Sequence, residues 1–199
     1  MRHRLWNTPA LILLGALTLT ACSDNSGMDH DMPSTGQTAS TTDFNDADVT
    51  FATQMIPHHQ QAVQMAGMAG YTATNPEVKK FATAIKAAQD PEIKTLSSWL
   101  TTWGKPVPTP SHGGHGGHEM PGMMTEDELS DLGDAKGAQF DRQWTQLMIE
   151  HHQGALAMAK TEQATGKYSA AVALAGKIQT DQSREIEALQ RLLTQLPAS

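Results

Sequence analysis

Met55-Ile56-Pro57-His58-His59-Gln60-Gln61-Ala62-Val63-Gln64-Met65-Ala66 returns 93 residues later as Met148-Ile149-Glu150-His151-His152-Gln153-Gly154-Ala155-Leu156-Ala157-Met158-Ala159. Packing alone does not require adjacent histidines bracketed by methionines to recur in a fixed register. Both side chains ligate soft metals. The same offset aligns Asp48 with Asp141, Phe51 with Trp144, Ile85 with Ile178, Gln89 with Gln182, Glu92 with Glu185, Ile93 with Ile186 and Leu96 with Leu189. The repeating unit spans roughly 55 residues in two segments, the pattern of a duplicated helical hairpin.

Four long helices follow from this pattern. The first is expected over about 44–69. The second opens at Asn75-Pro76-Glu77, where Asn caps and Pro fits the first turn, and runs to about Trp103. Gly104 to Met124 reads as a Gly/Pro/His linker. Thr125 and Glu128 have capping-box spacing and open a short helical turn that Gly133 should interrupt. The third long helix is expected over 134–165, ended by Gly166, and the fourth over 168–196. No period-2 strand pattern appears. The fold class is therefore all-α, an antiparallel four-helix bundle with a longer central connection.

At about 100° per residue, Asp48, Phe51, Met55, His58, His59, Ala62, Met65 and Ala66 share one face of the first helix. Asp141, Trp144, Met148, His151, His152, Ala155, Met158 and Ala159 share the matching face of the third. Pro57 should bend the first helix, a feature Glu150 does not repeat. Gln89 and Glu92, and again Gln182 and Glu185, lie on the apolar stripes of the second and fourth helices. A buried carboxylate needs a partner, and the histidines of the paired helix are the expected ones.

Methionine on a helix stripe is ordinarily core filler. Here, beyond Met1, it falls only at 28–32, 55–68, 120–124 and 148–158, always with or beside histidine, while the second and fourth helices have neither residue. Filler would be scattered. The candidate metal ligands are accordingly Met55, His58, His59, Met65, Met148, His151, His152 and Met158. Asp48, Gln89, Glu92, Asp141, Gln182 and Glu185 are expected to support them by hydrogen bonding. A second, flexible set comprises Met28, His30 and Met32, with His112, His115, His118, Met120, Met123 and Met124 of the linker, where glycine lets the chain wrap an ion. Thioether and imidazole without thiolate favour Cu(I), with Ag(I) as its mimic and Cu(II) at the linker histidines. Iron and zinc are the alternatives.

The ends and the charge set the surroundings. Arg2 and Arg4 precede an apolar run from Pro9 to Leu19 and then Thr20-Ala21-Cys22, the pattern of an export signal over 1–21. The Leu-Thr-Ala-Cys tail resembles a bacterial lipoprotein signal, which would make Cys22 the lipidated first residue, anchored at the periplasmic or cell-surface side. Cys22 is the single cysteine, so internal disulfides and thiolate metal sites are excluded. Cleavage there would leave a net charge of about −9, since only Arg2 and Arg4 are lost. That charge excludes a basic nucleic-acid surface and leaves the lipid as the contact with the membrane. Residues 22–42 read as a tether and 43–197 as the folded domain.

Phe140-Asp141, Met148-Ile149-Glu150-His151-His152-Gln153-Gly154-Ala155 with Met158-Ala159, and Gln182 with Glu185-Ile186, are similar to the family known as domain of unknown function 305. The resemblance covers about 43–197. It implies an exported, His/Met-rich, ferritin-like four-helix protein of copper-binding type linked to copper tolerance, and leaves any reaction open. A non-enzymatic protein that sequesters copper or hands it to a copper-handling partner is the first expectation. A ferritin-like di-metal oxidoreductase is the rival, weakened by the absence of Glu-x-x-His. An envelope interaction module without metal is the third. Oligomeric state is left open.

Overall fold

The computed structural model describes residues 43–109 and 120–198. It contains α1 (Asp46–Thr72), α2 (Pro76–Thr102), the short α3 (Glu126–Asp134), α4 (Gly137–Thr165) and α5 (Ser169–Gln195), with no strand among the described residues. The expected signal 1–21, the tether 22–42, Cys22, Met28, His30, Met32, His112, His115 and His118 lie outside the described residues.

Local chemistry explains the boundaries. Asn45 caps α1 in a capping box with Asp48, and Asn75 caps α2 ahead of Pro76. Thr125 and Glu128 form the expected box at α3. Two expectations need correction. Gly133 does not interrupt α3, which runs through it to Asp134, and α4 begins at Gly137 rather than at residue 134. The break falls where Gly137 adopts a positive φ of 58°, a conformation that only glycine takes without strain. Pro57 and Pro91 lie inside α1 and α2, which continue through them.

α1 packs on α2, α4 packs on α5, and the two hairpins meet chiefly through α1 and α4. This is the bundle of two hairpins that the repeat requires. One core cluster holds Met65, Phe140, Trp144, Met148, Leu189 and Leu192. The other holds Phe51, Met55, Leu96, Leu100, Met158 and Ile178. Met55 and Met158 therefore share one cluster and Met65 and Met148 the other, as an internal twofold between antiparallel α1 and α4 demands. The histidines sit between the two ends.

The aspartates of the repeat tie the hairpins together. The Asp48 carboxylate accepts from the Lys167 and Tyr168 amides at 2.9–3.2 Å, at the start of α5. The Asp141 carboxylate accepts from the Thr74 and Asn75 amides and the Thr74 hydroxyl at 2.5–3.3 Å, at the start of α2. Carboxylates suit these positions because a helix N-terminus has free amides and a positive dipole end. Asp141→Ala is expected to destabilise the fold by about 2 kcal/mol through loss of this cap. Thermal unfolding checks it, and an unchanged midpoint would refute the clamp.

Candidate metal centre

Four histidines meet at the crossing of α1 and α4. His58, His59 and His152 are fully buried and His151 is 1 % exposed. The His58 and His151 rings lie 3.8 Å apart between centroids, tilted by 42°. His151 and His152 rings are 6.3 Å apart. Adjacent histidines on a helix point about 100° apart, so each pair sends one ring to the opposite long helix and one to its own hairpin partner.

The outer rings find carboxylates. His59 Nε2 lies 2.9 Å from Glu92 Oε2, and His152 Nε2 lies 2.8 Å from Glu185 Oε2. The two pairs repeat at the 93-residue offset. Glu92 also accepts from Lys177 Nζ at 3.0 Å, a contact that the second copy does not share because Lys177 aligns with Ala84. The inner ring His58 has its Nε2 3.1 Å from the Pro121 carbonyl. Among the described residues, no partner of hydrogen-bond geometry meets either nitrogen of His151 or the Nδ1 of His58, His59 and His152.

Burial disfavours the charged form of His58, His59 and His151. Burial, then the neighbouring His59, push His58 down to about 3. Burial and the surrounding imidazoles hold His151 well below its ordinary value. Burial also lowers His59, although its hydrogen bond to Glu92 opposes the shift. For Glu92, burial disfavours the charge, yet the bonds from His59 and Lys177 outweigh it and hold the carboxyl below its usual range. Neutral imidazoles with free nitrogen lone pairs are the form that binds metal.

The other expected site residues divide. Met55 and Met148 are fully buried one turn before the histidines, and Met65 and Met158 are buried one to two turns beyond. Gln89 and Gln182 are buried with side-chain oxygens lacking partners. Asp48 and Asp141 do not reach the histidines; they hold the helix starts described above. Ten residues separate Asp48 from His58, about 15 Å of helical rise, so the aspartate cannot support the ring. Met124 is not part of a loose linker. It is 7 % exposed in the core, and its backbone is clasped by Gln61 in both directions, Nε2 to the carbonyl at 2.9 Å and amide to Oε1 at 2.8 Å. Met120 and Met123 are half-buried beside it.

Glu162 was not among the expected residues. It is 1 % exposed, among the described residues neither of its oxygens meets a hydrogen-bond donor, and it lies beside Asp48. Burial and the Asp48 carboxylate push it up to about 8, so it carries its proton at neutral pH. It lines a cleft of about 410 Å³ with Phe51, Gln54, Pro121 and Met158. Its repeat counterpart is Ala69.

Among the described residues no three His, Cys, Asp or Glu side chains converge to hold one ion. Orphaned imidazole nitrogens share their helix faces with buried thioethers, and both are donor types that soft ions accept. Fold and site together define a duplicated-hairpin bundle with a buried histidine cluster flanked by methionine. The chain belongs to the family described as domain of unknown function (DUF305), which matches residues 48–193.

Its fold is similar to a DUF305 protein from Streptomyces coelicolor, 31% identical, with a TM-score of 0.68 over 75% of this chain and 93% of that one. It is similar to a DUF305 fragment from Deinococcus radiodurans, 30% identical, with a TM-score of 0.69 over 76% and 98%. It is also similar to CopM in the Cu(I)-bound form, 32% identical, with a TM-score of 0.62 over 74% and 96%. CopM has further been solved in Cu(II)-bound and Ag-bound forms. No curated protein matches the chain.

Proposed function

We propose that this protein binds copper, Cu(I) foremost and Ag(I) through the same donors, and sequesters it or hands it on outside the cytoplasm in metal tolerance. The observation that carries the reading is the five buried ring nitrogens of four neighbouring histidines that meet no partner among the described residues. A buried polar atom without a partner is costly unless something pairs with it. A soft cation pairs with imidazole nitrogen and thioether sulfur alike. The bound states of CopM, similar to this chain over most of its fold, support copper and silver as the ions.

Binding, rather than redox turnover, is the role we assign. A ferritin-like di-metal oxidoreductase needs carboxylates free to bridge ions. Here Glu92 and Glu185 are each engaged by an imidazole. The signal-like N-terminus supports export, with Cys22 as lipid anchor and residues 22–42 as tether. Among the described residues no helix is long and apolar enough to cross a membrane. His112, His115 and His118, with Met28, His30 and Met32, are assigned to weaker capture of ions for the bundle or for a copper-handling partner.

Competitive titration of the protein with Cu(I), Ag(I), Cu(II), Fe(II) and Zn(II) tests this. The expected result is tight Cu(I) and Ag(I) binding that survives deletion of residues 112–118, with fewer ions bound in total. Loss of the tightest site with that segment would move the metal chemistry out of the bundle. Tight iron binding instead would favour the oxidoreductase.

A further inference from the structure

The segment Met120–Met124 lies as a strap across the bundle, and its seat uses both copies of one repeat position. Gln61 on α1 clasps the Met124 backbone at 2.8–2.9 Å. Its counterpart at the 93-residue offset is Gly154 on α4. A Cβ at Gly154 would collide with the Pro121 carbonyl and come within 2.8 Å of the Gly122 Cα. Gly122 has φ of 75°, and a Cβ there would stand 2.6 Å from the Glu150 carbonyl oxygen. Glutamine at 61 and glycine at 154 and 122 thus set the strap against α1 and α4. The contact this delivers is the Pro121 carbonyl oxygen, 3.1 Å from His58 Nε2.

That carbonyl has the same relation to His58 as Glu92 has to His59 and Glu185 to His152. In each case an acceptor stands at Nε2 and Nδ1 is left buried without a partner. Proline has no amide hydrogen, and a carbonyl oxygen cannot donate, so the Nε2 of His58 must carry the hydrogen. A neutral imidazole holding its hydrogen at Nε2 has its lone pair at Nδ1. Acceptors of this kind fix the tautomer and ring orientation of metal-binding histidines.

We propose that the Pro121 carbonyl is a positioning group for His58, so that the strap fixes the tautomer of this one ring and leaves its Nδ1 as the donor offered to a soft ion. This rests on the copper-binding reading above. Among the described residues, His151, the repeat counterpart of His58, meets no acceptor of hydrogen-bond geometry at either nitrogen. The strap, which the repeat does not contain, adds to the inequality of the two half-sites that Lys177 beside Glu92 and Pro57 before His58 already introduce.

The test uses ¹⁵N-labelled full chain without metal, read by ring-nitrogen shifts, and then titrated with Ag(I) against a competing chelator. The wild-type spectra should place the hydrogen of His58, His59 and His152 at Nε2. Gln61→Ala removes the clasp without touching a ring, and Gly154→Ala displaces the strap by volume. In both, His58 should lose its single tautomer while His59 and His152 keep theirs, and Ag(I) affinity should fall roughly 10- to 100-fold. If either variant unfolds, the other carries the test, with amide exchange at Met124 reporting that the strap has come away. A His58 tautomer and an affinity that both survive release of the strap would overturn the proposal. So would an affinity that rises, since the strap would then mask the site. If wild-type protein takes up no Ag(I), the copper reading fails, and the ring-nitrogen spectra still decide the tautomer.

Discussion

Acidifying the metal-free protein from pH 7 to pH 4 is expected to remove most of its folding stability, and saturating Cu(I) to restore much of it. His58 has an unfolded value of 6.5 and a folded value pushed down to about 3 by burial and by His59. Between those values the unfolded chain binds more protons than the folded one. Stability is then fully present above pH 6.5 and is lost progressively as pH falls toward 3. His59 and His151 are displaced in the same direction. Glu92, held below its usual 4.5, adds to the same loss at the acid end.

Glu162 works the other way. Its folded value of about 8 against 4.5 unfolded gives stability that is present below pH 4.5 and fades as pH rises through 8. One such group does not offset three histidines below pH 6.5. Each pKa unit corresponds to about 1.4 kcal/mol, so His58 alone accounts for several kcal/mol of a fold whose total is typically about 5–15. Thermal unfolding between pH 4 and pH 8, with and without Cu(I), checks the expectation. Midpoints independent of pH below 6.5 would show that the cluster is open to water.

The second large effect is on affinity. His58→Ala with His59→Ala, or the same pair of changes at His151 and His152, should weaken Cu(I) binding by more than about 100-fold. That exceeds the 10- to 100-fold typical of losing a supporting partner, because the donors themselves are removed. Helix content should persist, since alanine is the strongest helix former and the remaining core of α1 and α4 is untouched. Circular dichroism and a competitive Cu(I) probe decide it. Unchanged affinity in both double variants would end the bundle-site reading.

Periodicity made the four helices and their pairing into hairpins legible, because the repeat fixes which residues must be equivalent. It also placed Glu92 and Glu185 on the stripes facing the histidines. It could not show that His58 would lie against His151, since equivalence under a twofold does not say which faces touch at the axis. Asp48 and Asp141 share the histidine stripe, and a wheel projection hides the axial distance that sends them to helix starts. Glu162 has alanine, Ala69, as its counterpart, so repetition does not mark it. The strap lies in a Gly- and Pro-rich connection without period, where only close approach to Gly154 reveals its seat.

The Asp48 and Asp141 clamps have a consequence for ancestry. Each hairpin carries on its first helix the carboxylate that caps the second helix of the other. α2 also has its own Asn75 cap, whereas the start of α5 has no side-chain cap and takes only the carboxylate of the other hairpin. These are isologous contacts, the kind that hold a two-fold homodimer together. A single hairpin would find this carboxylate acceptor only in a second copy of itself, a relation that a fused duplication keeps within one chain. Once fused, the halves were free to diverge at single positions, and Gln61 with Gly154, or Ala69 with Glu162, mark where a formerly symmetric molecule became sided.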